Sequence, residues 1–81
     1  MSFRESPFIP GHVYRVKVSF QSASYAFVAG ELLTFDQEKY SRYDESSVFS
    51  FRDSTGLVIK EWWLSDDSPI EVWRQYFEEL L

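Results

Sequence analysis

Cysteine is absent from this chain, and its absence excludes disulfides, thiolate metal sites and thiol catalysis. A small secreted domain held together by disulfides is therefore not expected. Histidine occurs once, as His12, which leaves little for transition-metal ligation or general-base work. No apolar run approaches the roughly 18 residues of a membrane span. Met1-Ser2-Phe3-Arg4-Glu5-Ser6-Pro7 contains no hydrophobic signal core. The chain is expected to be soluble and cytoplasmic, in a bacterium. The eight Lys and Arg residues are scattered, with no two adjacent, whereas a phosphate backbone demands clustered cations. With 13 acidic side chains the formal charge is -5, so nucleic acid and anionic membrane are both disfavoured as partners.

Aromatic rings are plentiful. Phe, Tyr and Trp make up 20% of the 81 residues, and many recur at period two. A single domain of this size buries only about 60–65% of the surface of its unfolded chain. Large rings, each burying on the order of 150–250 Å², are the available source of stability. The pattern predicts a mainly β, aromatic-cored domain with more rings than one core hides.

Residues 1–11 read as an arm punctuated by Ser6-Pro7 and Pro10-Gly11, with Phe3, Phe8 and Ile9 able to pin it to the body. From Val13 to Phe20, Tyr14, Val16, Val18 and Phe20 alternate with polar residues, predicting a strand with one wet face. Gln21 to Ser24 then makes a turn. Residues 25–35 hold a strand pair or one bent strand, with Gly30 at a bulge or bend. Residues 36–47 read as polar and turn-rich. Val48 to Arg52 predicts a strand with Phe49 and Phe51 on one side and Val48, Ser50 and Arg52 on the other. Asp53-Ser54-Thr55-Gly56 predicts a hairpin turn with Gly56 at positive φ, and Leu57 to Leu64 the returning strand.

After Asp67 the period changes. Ser68 as N-cap, Pro69 at the first helical position and Glu71 closing a capping box predict a helix over 68–81. Ile70, Trp73, Phe77, Leu80 and Leu81 would form its apolar stripe. About five strands over 12–64 plus this helix suit a small, partly open barrel whose helix covers an edge or an end.

Phe27-Val28-Ala29-Gly30-Glu31-Leu32-Leu33-Thr34-Phe35, with Tyr40-Ser41-Arg42-Tyr43-Asp44 and Phe49-Ser50-Phe51, resembles small bacterial domains of unknown function with SH3-like barrels. The resemblance covers roughly residues 12–67 and implies an SH3-like barrel. It supplies no functional residues. Glu31-x-Leu33-x-Phe35 and Trp62-Trp63 are also similar to true SH3 domains. The chain departs from those in lacking their aromatic Tyr-Asp-Tyr strand start and in placing 31 positions between Glu31 and Trp62. It also carries a predicted helix where they have a short turn and a last strand.

Catalytic readings find little support. His12, beside Gly11 at a strand start, reads as a surface histidine. None of the twelve serines sits in a Gly-x-Ser-x-Gly elbow, and they read as turn and cap chemistry. Asp66, Asp67 and Glu71 could offer oxygens to a hard cation, but acids before a helix are explained by its dipole. Gly11, Gly30 and Gly56 form no phosphate loop. No enzyme activity, metal or cofactor is expected.

Aromatic surface is the stronger candidate. Trp62 and Trp63 are consecutive in a strand, so they point to opposite faces and one indole needs cover. Either can be the outward one. The cover would come from the C-terminal segment through Trp73 or Phe77, from the N-terminal arm, or from a partner. The outward Trp with Tyr40 and Tyr43, rimmed by Arg42, Asp44 and Glu45, is the candidate binding surface, since Tyr and Trp dominate interface hot spots. A non-enzymatic module that docks a protein or peptide is the expected function, as monomer or homodimer. The alternative is a small acidic inhibitor or immunity-type protein blocking a basic partner. An inhibitor would gather its acids on one face, whereas a peptide module would show a groove floored by Tyr and Trp.

Overall fold

The computed structural model describes residues 6–80. The expected roles of Phe3 in the arm, of the Met1–Glu5 segment and of Leu81 in the apolar stripe lie outside the described residues. The fold is mainly β, with seven strands in two antiparallel sheets. They are β1 (Val13–Val16), β2 (Phe20–Ser22), β3 (Tyr25–Phe27), β4 (Leu32–Ser41), β5 (Ser46–Arg52), β6 (Ile59–Ser65) and β7 (Phe77–Leu80). A 3-10 turn, Ile70–Val72, runs into a single helical turn, α1 (Trp73–Tyr76), before β7. The larger sheet is open, in the order β6-β5-β4-β1-β7, and β2 pairs only with β3.

Five strands were expected and seven are found, because two predicted segments break up. The Val13–Phe20 strand stops after Val16, where Gly30 donates its N–H to the Val16 carbonyl and the chain leaves the sheet. Phe20 then opens a separate hairpin, stacked on its cross-strand partner Phe27 at 4.7 Å. Residues 36–41, read as loop, continue β4. A bulge at Asp36 shifts the register between Phe35↔Phe51 and Gln37↔Ser50. The inserted residue inverts the side-chain alternation, which hides the strand from a period-two reading. Asp53-Ser54-Thr55-Gly56 forms the expected turn, with Gly56 at φ +75. The Asp53 carboxylate accepts from the Thr55 hydroxyl and from the Thr55 and Val58 amides. The Thr55 hydroxyl bond is the main reason its carboxyl titrates below the usual aspartate range.

The predicted helix over 68–81 is the larger correction. Pro69 precedes a 3-10 turn with no side-chain cap, so the Ser68–Glu71 capping box does not form. From Phe77 the backbone is extended, and β7 pairs with β1 through Val13↔Leu80, Tyr14↔Glu79, Arg15↔Glu78 and Val16↔Phe77. Without β7, β1 would leave a row of backbone donors and acceptors unpaired on that side, a demand that overrides a local helical pattern. Phe77 is buried, and its ring stacks on Phe51 at 5.0 Å. Across the pair Arg15 Nε donates to Glu78 at 2.7 Å, and His12 Nδ1 lies 2.6 Å from Glu79.

The N-terminal arm supplies the centre of the core. Phe8, 3% exposed, makes edge contacts with Tyr14, Phe49, Phe51 and Phe77 at ring separations of 5.0 to 5.5 Å. Phe35, Trp62 and Trp73 complete its shell. Edge-on packing of this kind adds about 0.5–1.5 kcal/mol per pair beyond area burial. The arm is anchored by backbone as well: Ile9 donates to the Tyr14 hydroxyl at 2.8 Å, and Gly11 to the Phe35 carbonyl at 2.9 Å. Burial pushes the Tyr14 phenol above its ordinary pKa, assisted by the nearby Glu79 charge and opposed by the Ile9 hydrogen bond.

β5 is buried on both faces. Phe49 and Phe51 point into the core, as expected, but Val48 and Ser50 on the opposite side are buried too. Their cover is local. Lys39 and Trp63 flank Val48 in register, and a Lys39–Glu61 ion pair at 3.3 Å spans this side of the strand.

Candidate functional site

The two indoles of β6 go opposite ways, and the structure decides which. Trp62 faces inward at 3% exposure, tilted against Phe49 at 5.4 Å and edge-on to Phe77 at 5.3 Å. Trp63 faces outward, only partly covered, with its Nε1 donating to Glu61 at 3.2 Å. Trp62 therefore leaves the candidate surface as an exposed anchor, and Trp63 remains.

Beside Trp63 lies a groove of about 430 Å³ between the β2–β3 hairpin, strand β6 and the helical turn. Trp62 and Leu64 reach it from the core side. Phe20, Trp63 and Tyr76, all partly exposed, provide aromatic walls, with Val72 between them. Gln21, Ser22, Ser65 and Ser68 supply the polar groups. Tyr76 is held by Phe20 at a ring separation of 4.5 Å and by Trp62 at 6.0 Å. These are floor and walls of Trp and Tyr, the feature expected of a peptide-docking module.

The hairpin is fixed to β6 without joining its ladder. Ser22 Oγ accepts the Trp63 amide at 2.8 Å. Lys60 Nζ donates to the Ala26 carbonyl at 2.7 Å and to Glu31 at 2.6 Å, and lies 5.7 Å over the Phe27 ring. Both Lys60 and Glu31 are largely covered, which makes this pair less screened than those on the open surface. One wall of the groove is thus held by side-chain bridges, and the other is the turn leading into β7.

The remaining predicted site residues fall into two places. Tyr40 joins Trp63 at a shallow hollow of about 150 Å³ together with Lys39 and Glu61, while its hydroxyl donates to Asp66 at 2.5 Å. Tyr43 stands fully exposed at the β4–β5 hairpin tip, where it shares a separate hollow with Arg42. Asp44 and Glu45 complete that tip, Asp44 accepting from Ser41 and Glu45 turning the chain at φ +49. The structure joins Tyr40 to Trp63 and leaves Tyr43, Arg42, Asp44 and Glu45 apart from the aromatic groove. Phe20 and Tyr76 were missed. Phe20 had been assigned to the first strand, and Tyr76 lies off the apolar stripe of the predicted helix.

The acids do not gather on one face as an inhibitor's would. Glu31, Asp36, Glu61, Glu78 and Glu79 each pair with a basic side chain, on strands from both ends of the chain. Among the described residues no three His, Asp or Glu side chains converge as metal ligands would. No helix among them is long and apolar enough to cross a membrane.

Comparison with known proteins gives a fold relationship. No protein-family model and no curated protein matches the chain. A solved structure, an integron cassette protein from the mobile metagenome of Vibrio cholerae, superposes with a TM-score of 0.70 at 18% identity, covering 90% of this chain and 88% of that one. At that identity the likeness is one of fold alone.

Proposed function

We propose that this chain is a small, non-enzymatic docking module of SH3-like architecture, which binds an extended peptide or protein segment in the groove bounded by Phe20, Trp63 and Tyr76. One observation carries the reading: partly exposed rings from three separated segments converge on one concave surface, with a second Trp at its base. Rings of this kind offer a large contact area at low ordering cost, which is why they recur at interface hot spots. The SH3-like assignment is supported by the sheet order, in which the last strand returns to pair with the first, and by the single helical turn preceding it. The Vibrio cholerae cassette protein lends the fold and no ligand. Bacterial cytoplasm is the proposed setting. The acidic-inhibitor alternative has less support, because the ion pairs named above engage much of the acidic charge within the sheet.

The test is a peptide-display selection against the full chain, repeated against Trp63→Ala and Tyr76→Ala variants. Binders captured by the wild type and lost by both variants support the groove. Binders indifferent to both variants, or none at all, overturn it.

A further inference from the structure

We infer that the segment held in this groove carries a lysine or arginine, seated with its cation at the end formed by Ser65, Ser68 and Val72. The inference rests on the docking role proposed above and adds the chemistry of the occupant.

Among the described residues no Lys or Arg lines the groove, and no Asp or Glu does either. The charges stand just outside, with opposite signs at the two ends. At the Ser65–Val72 end the chain neighbours of the lining residues are Asp66, Asp67 and Glu71. Asp67 and Glu71 are exposed, and Asp66 accepts from Tyr40. At the Tyr76 end the nearby cations are Lys17 and Arg74, both committed locally. The Lys17 ammonium donates to the Arg74 carbonyl at 2.8 Å, and the Arg74 guanidinium lies 5.8 Å over the Trp73 ring. The acidic end is therefore not neutralised by the groove's own cations. A Lys or Arg side chain suits the surface in both its parts. Its methylene stem lies against aromatic walls, and its charged head reaches the carboxylates while staying in water. The net charge of -5 adds attraction for such a segment at long range.

The experiment uses decapeptides recovered from the display selection, each paired with a version in which its Lys or Arg is replaced by Gln. Binding to the wild type and to an Asp67→Asn/Glu71→Gln double variant is read by fluorescence polarisation at low and high ionic strength. Asp67 and Glu71 are exposed, so the double variant keeps the wild-type fold, checked by its melting temperature. The expected result is cationic peptides whose Kd rises roughly three- to tenfold in the double variant, as expected for exposed charge pairs. Their Gln versions should bind the two proteins equally, and salt should erase the difference. Peptides that need Trp63 and Tyr76 but are neutral or acidic, or cationic ones blind to the double variant, would overturn this inference while leaving the groove intact. Selection of no groove-dependent peptide overturns both.

Discussion

The Ile9 amide donates to the Tyr14 hydroxyl at 2.8 Å, tying the N-terminal arm to a side chain of the first strand that is itself fully buried. A single hydroxyl thereby holds the segment that delivers Phe8 into the core. Arm and barrel are one cooperative unit.

Phe8→Ala should destabilise the protein by about 3–5 kcal/mol, the range for deleting a buried large aromatic side chain. Tyr14→Phe should remove about 1–3 kcal/mol by leaving the Ile9 N–H without its acceptor. Denaturant unfolding checks both. A Phe8→Ala variant as stable as the wild type would show that the arm is an appendage.

Alkali should destabilise the fold through Tyr14. Its pKa is raised in the folded state, so the folded protein holds the phenolic proton more tightly than the unfolded chain does. The associated stability is fully present below the ordinary tyrosine value of 10.0 and is lost as pH rises from there through the raised folded value. Unfolding curves collected across that window should fall more steeply for wild type than for Tyr14→Phe. Equal slopes would contradict the assignment.

The two tryptophans of β6 should separate stability from binding. Trp62→Ala removes a core ring and should cost about 3–5 kcal/mol. Trp63→Ala should change stability by about 1 kcal/mol or less, since its ring is partly exposed. Melting temperatures give the first comparison, and peptide capture by the Trp63→Ala protein gives the second.

Deleting residues 77–81 should abolish cooperative unfolding, because it removes both Phe77 and the backbone pairing of β1. Charge exchange at the β1–β7 surface should be mild by contrast. Arg15→Glu alone should destabilise by about 0.2–1 kcal/mol, and adding Glu78→Arg should restore much of that. Circular dichroism melts test both statements.

The sequence made the β character, the aromatic core, the Gly56 turn and the arm's anchoring role legible, because each rests on local pattern or on residue chemistry. The terminal strand was not legible. Ile70, Trp73, Phe77 and Leu80 carry helical spacing, and only the unmet hydrogen bonds of β1, far away in sequence, make residues 77–80 extended. The bulge at Asp36 likewise erased the alternation that would have revealed the second half of β4. At the candidate site, strand geometry required one outward indole and left open which. The groove itself depends on the β2–β3 hairpin crossing to β6, a contact made by Ser22 and Lys60 that no local pattern announces.

The pairing of β1 with β7 also bears on how the protein is made. His12 and Glu79, joined across that pairing, are 67 positions apart. While a ribosome is still building the chain, residues before 77 lack both the ring that completes the core and the strand that closes β1. Nascent β1 and its aromatic neighbours stay exposed until nearly all of this sequence has emerged, the interval in which such segments are most open to aggregation. A message truncated shortly before that strand would yield a chain for proteases to clear, with no smaller folded fragment to accumulate.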